Sequence, residues 1–146
     1  MKLDEIIEEW RKDALFDDTE LDTESLKVPS LHNKYLKIMS QARLTLRKLK
    51  IERKSLSKIL REYYLGNLNN EEDLEDINRQ PWLHKVMKQD VKEYIETDDE
   101  MVNLDSKIEY TEEKIEVLTE IMRMINSRGY QIKNAIEWRT LTNFAQ

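Results

Sequence analysis

The apolar positions fall into five stretches. Leu3, Ile6, Ile7 and Trp10 recur at three- and four-residue steps and predict a helix over residues 3–13. The polar run Asp17-Asp18-Thr19-Glu20, continuing to Thr23, predicts irregular chain. Pro29-Ser30 marks the expected start of the next helix, and Gly66-Asn67 its stop. Between them, Tyr35, Ala42, Leu49, Leu56 and Tyr63 share one heptad site. Leu31, Ile38 and Ile59 share the other, where Thr45 and Glu52 break the row; Met39, Leu46 and Leu60 widen the stripe. A helix over residues 30–65 would be about 54 Å long. Residues 67–80 predict an acidic connector with a turn of helix near 71–75. A shorter helix is expected over 81–95, with Leu83, Val86, Met87, Val91 and Tyr94 inward. Thr97-Asp98-Asp99-Glu100 has capping-box spacing. It opens the most regular pattern in the chain: Met101, Leu104, Ile108, Thr111, Ile115, Leu118, Met122 and Ile125, heptad spacing with Thr111 as the polar exception. Ser127-Arg128-Gly129 predicts a break, after which Ile132, Ile136 and Leu141 renew the helix over 130–144.

Composition narrows the class. Only 2 Gly and 2 Pro in 146 residues leave few tight turns, which argues against a strand-rich sandwich or barrel. Charged residues make up 37% and hydrophobic ones 39%, which suits helices with one buried stripe and wide solvated faces. The expectation is an all-α fold: a long basic helix in the N-terminal half packed with C-terminal heptad-patterned helices. Without cysteine there is no disulfide and no thiolate ligand or nucleophile. The acidic first ten residues do not read as a signal peptide, and no apolar run approaches the ~20 residues of a membrane span. A soluble intracellular protein is expected.

The net charge of −6 is unevenly distributed. Residues 1–26 carry −7, 27–64 carry +9, 65–120 carry −11 and 121–146 carry +3. A +9 block attracts a polyanion locally, or matches an acidic block within or between subunits. Arg43, Arg47, Lys50, Lys54, Lys58 and Arg61 are spaced by 4, 3, 4, 4 and 3 residues, one helix face over about 27 Å. Lys34, Lys37, Lys48 and Arg53 flank it. Like charges at this spacing repel, and a phosphate backbone relieves the repulsion. Tyr63 sits on the heptad seam and is assigned to the core. Tyr64 either stacks on bases or packs inward.

No catalytic arrangement accompanies the stripe. His32 and His84 lack zinc-ligand spacing, and adjacent pairs such as Asp98-Asp99 and Glu112-Glu113 diverge by ~100° on a helix. The two glycines, Gly66 and Gly129, make no phosphate loop. Neither an enzyme, nor a metal, nor a cofactor is expected. The C-terminal heptads serve either a bundle core or, as their strict spacing favours, pairing with another copy or with the basic helix; Met101, Leu104, Ile108, Ile115, Leu118, Met122 and Ile125 are the expected oligomerisation residues. Trp10, Trp82 and Trp138 are core or interface anchors.

Three stretches resemble the UvsY family of recombination mediators from T-even bacteriophages. They are Lys12-Asp13-Ala14-Leu15-Phe16-Asp17-Asp18-Thr19-Glu20-Leu21, Leu56-Ser57-Lys58-Ile59-Leu60-Arg61-Glu62-Tyr63-Tyr64, and Ser127-Arg128-Gly129-Tyr130-Gln131-Ile132-Lys133. The second is similar to the family's Lys-Ala-Arg-Leu-Asp-Tyr-Tyr motif, with Lys58, Tyr63 and Tyr64 on matching positions. Leu60 stands where the family has arginine, and Arg61 where it has leucine. The resemblance implies single-stranded-DNA binding at this motif; with the stripe read from spacing, the expected DNA-binding residues are Arg43, Arg47, Lys50, Lys54, Lys58, Arg61 and Tyr64, and which of Lys54, Lys58 and Arg61 touches DNA stays open. It also implies help in loading a RecA-like phage recombinase onto strands coated by single-strand-binding protein, in the cytoplasm of the infected host. It implies a ring-like homo-oligomer assembled by the C-terminal region. The expected organisation is a DNA-binding region over 1–66, a connector over 67–96 and an oligomerisation region over 97–146. The rival reading is a helical scaffold or assembly protein whose charged faces pair between subunits.

Overall fold

The computed structural model describes the chain through residue 145, with side chains through residue 143, and contains five helices and no strand among these residues. They are α1 (Leu3–Asp13), α2 (Leu21–Tyr64), α3 (Glu71–Asp76), α4 (Val91–Thr97) and α5 (Asp99–Ala145). The chain forms two compact units, one of residues 1–44 with 111–146 and one of residues 45–110. These units do not follow the expected segment boundaries, because α2 and α5 each contribute to both.

In the first unit, Ile6 of α1, Tyr35, Met39 and Ala42 of α2, and Leu118, Ile121 and Ile125 of α5 form the core. Full burial of each large apolar side chain contributes about 1.5–3 kcal/mol. The helices are also fastened by polar groups. Asp13 accepts from Lys34 Nζ at 2.6 Å and from the Tyr35 hydroxyl at 2.8 Å, and Lys34 reaches Glu9 at 2.8 Å. Burial works to raise the Asp13 pKa, but these hydrogen bonds outweigh it and hold the carboxyl below its usual range. Trp10 packs edge-on against Tyr35, ring centres 5.6 Å apart.

α2 begins at Leu21, upstream of the expected start, and runs through Pro29. A proline inside a helix removes one backbone hydrogen bond. Buried Leu21 and the packing of Val28 against the core offset that loss. α5 likewise runs through Gly129, which has no positive φ and whose missing Cβ would meet nothing. An interior glycine costs a helix about 1 kcal/mol. Ile125, Arg128 and Ile132 are buried on either side of it and carry the helix across.

The second unit is built on Leu60, Tyr63, Tyr64, Leu74, Val91, Ile95 and Met101. Gly66 (φ +79°) ends α2 as expected. Its N–H donates to the Tyr63 carbonyl at 3.1 Å and the Asn67 N–H to that of Glu62 at 3.0 Å, the paired closure of a Schellman motif. The short helix near 71–75 is α3, capped by Asn70 accepting from the Asp73 N–H at 2.8 Å. The helix expected over 81–95 shrinks to α4: Leu83 is 88% exposed and Met87 64%, so the apolar period there faces solvent. The cap of α5 falls on Asp98, whose carboxylate accepts from the Glu100 N–H at 3.0 Å. The Thr97 hydroxyl instead donates back to the Glu93 carbonyl.

Candidate nucleic-acid interface

In the second unit Arg47, Lys50, Lys54, Lys58 and Arg61 of α2 are exposed, and Arg43, in the first unit, is exposed as well. Inward positions of α2 explain the direction: Leu60 and Tyr63 turn to the core, leaving Lys58 and Arg61 outside. Leu60 is fully buried whereas Ile59, expected on the seam, is 40% exposed. A cation at position 60 would therefore enter an apolar core, at a cost of several kcal/mol without a partner. The arginine at position 61 keeps its charge in water.

The cations of α2 separate into paired and unpaired. Lys34 is held by Glu9 and Asp13, and Arg53 Nε donates to Asp105 at 2.7 Å. Arg47, Lys54, Lys58 and Arg61 form no ion pair among the described residues. These four are exposed positive charges on one helix, the arrangement that releases counterions when a polyphosphate binds.

Tyr64, expected among the DNA-binding residues, is not on that face. It is buried, and its hydroxyl donates to Asp98 Oδ2 at 2.6 Å. Burial first, then the Asp98 carboxylate, pushes its pKa up to about 12. Asp98 also accepts two bonds from Arg79, at 2.6 and 2.8 Å. Burial alone would raise the Asp98 pKa, but the Arg79 and Tyr64 hydrogen bonds lower it below the usual range. Tyr63 is buried as expected, donates to the Gln80 carbonyl at 2.7 Å, and has the Arg79 guanidinium 5.0 Å over its ring. The tyrosine pair closes the core of the second unit. Neither ring is open to a base.

The expected oligomerisation seam is also occupied within the chain. Met101 and Ile108 are buried in the second unit, Leu118 and Ile125 in the first, while Leu104, Ile115 and Met122 are partly covered. Heptad spacing reports a partner surface without saying whose it is; here α1 and α2 supply it to the first-unit residues. The most exposed apolar residues of α5 lie nearer its end: Tyr130 (73% exposed), Trp138 (70%) and Leu141 (66%). Trp10 and Trp82 are anchors inside the units, and Trp138 is not.

Two of the motif stretches meet. The Arg128 guanidinium donates to the Ala14 carbonyl at 2.6 Å and lies 5.1 Å over the Phe16 ring, so it closes the end of α1. Arginine is the side chain that serves both contacts at once.

Among the described residues no three His, Cys, Asp or Glu side chains gather as a metal site, and no helix is long and apolar enough to cross a membrane. A chain that is helical without strands among its described residues, with an exposed row of cations, belongs to the class of helical polyanion-binding proteins. Residues 9–144 match the family described as "Recombination, repair and ssDNA binding protein UvsY". The chain is 24% identical over 139 residues to "Recombination protein uvsY" of Enterobacteria phage T4, covering 95% of this chain and 96% of the relative. The crystal structure of the bacteriophage T4 recombination mediator protein UvsY in its type II lattice superposes with a TM-score of 0.85 at 22% identity, covering 98% of each chain. The type IV lattice gives 0.85 at 21% identity, over 97% of this chain and 99% of the other. The chain belongs to the UvsY family.

Proposed function

We propose that this chain is a recombination mediator that holds single-stranded DNA along the outer face of α2 and acts by binding, without catalysis. The observation that carries the reading is the set of exposed cations Arg47, Lys54, Lys58 and Arg61 on α2, these four without an ion pair among the described residues. Phosphate contacts position a strand without reading its bases, which suits a protein that must work on any sequence.

One such helix meets only a few phosphates. A ring-like homo-oligomer makes the later contacts intramolecular and raises avidity without new chemistry. The solvent-facing Tyr130, Trp138 and Leu141 near the end of α5 are the apolar surface through which copies associate. The assembled ring bends the strand away from the form held by a single-strand-binding protein, and a RecA-like recombinase loads onto the released segment. The charge-paired scaffold reading is weaker, since Lys34 and Arg53 already find their carboxylates within one chain.

The test is the ATPase of a matching phage recombinase on strands coated with single-strand-binding protein. The chain is expected to shorten the lag before ATP hydrolysis. An unchanged lag at saturating chain contradicts the mediator reading.

A further inference from the structure

The segment joining α3 to α4 is a cationic, aromatic island within the most acidic part of the chain. Residues 77–89 contain Arg79, Lys85 and Lys88 and no Asp or Glu, inside a stretch of net charge −11. The segment is not helical, yet it is pinned: Gln80 accepts from Tyr63, and Arg79 grips Asp98 through two hydrogen bonds. Trp82 is its hub. Its ring centre lies 4.7 Å from that of Tyr64, 4.9 Å from His84 and 5.7 Å from Tyr94. Tyr64 closes the inner side, whereas His84 is exposed and Tyr94 is 39% exposed. Core packing accounts for Trp82 and Tyr64. It does not account for aromatic rings at positions 84 and 94, which meet water. Lys85 and Lys88 are exposed and form no ion pair among the described residues. Trp82 also packs on Tyr63 and Tyr64, which follow Arg61 within one helical turn of the same helix.

We propose that this shelf is a second contact for the strand: bases stack on the His84 and Tyr94 rings while Lys85 and Lys88 pair with phosphates. The proposal rests on the phosphate-binding reading of α2 and extends it from the backbone to the bases. Every base has a π-face, so stacking adds affinity with little sequence preference. Unlike the phosphate contacts, it releases no counterions and leaves the salt dependence unchanged.

The test titrates the full chain with fluorescent oligothymidylate and with an abasic strand of equal length. The wild-type chain is expected to bind the base-bearing strand more tightly. His84→Ala with Tyr94→Ala is expected to weaken oligothymidylate binding at least about fivefold, to leave abasic binding unchanged, and to keep the salt slope. Tyr94→Phe with His84 intact retains both rings and is expected to bind as the wild type does. Equal affinity of the folded double variant and the wild type for oligothymidylate overturns the shelf while leaving the α2 reading intact. If the wild type binds neither strand, both readings fall. Should the double variant lose its helical circular dichroism, photocrosslinking of the wild type to an iodinated pyrimidine strand decides. Crosslinks within residues 82–94 support the shelf, and crosslinks confined to other segments overturn it.

Discussion

The hydroxyl of Tyr64 donates to Asp98 at 2.6 Å, tying the last residue of α2 to the residue that caps α5. The same carboxylate takes two bonds from Arg79, so one buried acid joins three elements of the second unit. This places Tyr64 in the structural support of the cationic face and not among its ligands.

Tyr64→Phe removes a hydrogen bond to a charged acceptor while keeping the ring. The expected loss is about 1.5–3 kcal/mol of stability in urea unfolding. Single-strand affinity of the folded variant should stay at the wild-type value. Unchanged stability with weakened binding would show a direct tyrosine contact with DNA.

The same cluster sets a pH profile. Asp98 has a folded pKa below its ordinary 3.8, so its stabilisation is present above about 4 and is lost as pH falls through the folded value. Tyr64 has a folded pKa raised from 10 to about 12, so its stabilisation is present below 10 and is lost as pH rises toward 12. Stability measured from pH 2 to pH 12 should fall at both ends, and Tyr64→Phe should flatten the alkaline limb.

Leu118 and Trp138 lie on the same helix and should fail differently. Leu118→Asp puts a charge into the fully buried core of the first unit and should unfold it. Trp138→Ala removes a 70%-exposed ring and should keep helical circular dichroism while weakening assembly in sedimentation. A folded, monomeric Leu118→Asp chain would return the heptad seam to the interface between copies.

Gly129→Ala adds a methyl group where no neighbour stands and restores helix propensity. Thermal unfolding of the dissociated chain should rise in midpoint, equivalent to about 0.5–1 kcal/mol. A lower midpoint would mean that the helix is strained at this position.

Local signals carried much of the fold. The bounds of α1, the glycine stop at Gly66 and the outward face from Arg43 to Arg61 were legible, because apolar period, left-handed φ and charge spacing are properties of a short window. What depended on distant packing was not. Pro29 reads as a start until the burial of Leu21 is known, and Gly129 reads as a stop until Ile132 is seen to be buried. Leu83 and Met87 mimic a helical stripe that meets no partner. Tyr64 and Ile59 each sit within one position of the seam, where a rotation of ~100° decides between core and solvent. The seam of α5 was legible as a seam, but α1 and α2 had to be placed before its partner was known. The aromatic shelf had one available signal, the absence of acids over residues 77–89.

The central claim, that α2 holds the phosphates, is tested most directly by the salt dependence of single-strand affinity for the wild type and for Lys58→Ala with Arg61→Ala. The wild type should lose affinity steeply as salt rises, with little difference among strand sequences. The double variant should bind more weakly, with a slope shallower by about 0.7 per lost phosphate contact. Its unfolding free energy should stay within about 0.5 kcal/mol of the wild type, since both side chains are exposed. An equal slope and affinity for the two proteins would contradict the claim and move the DNA to another face.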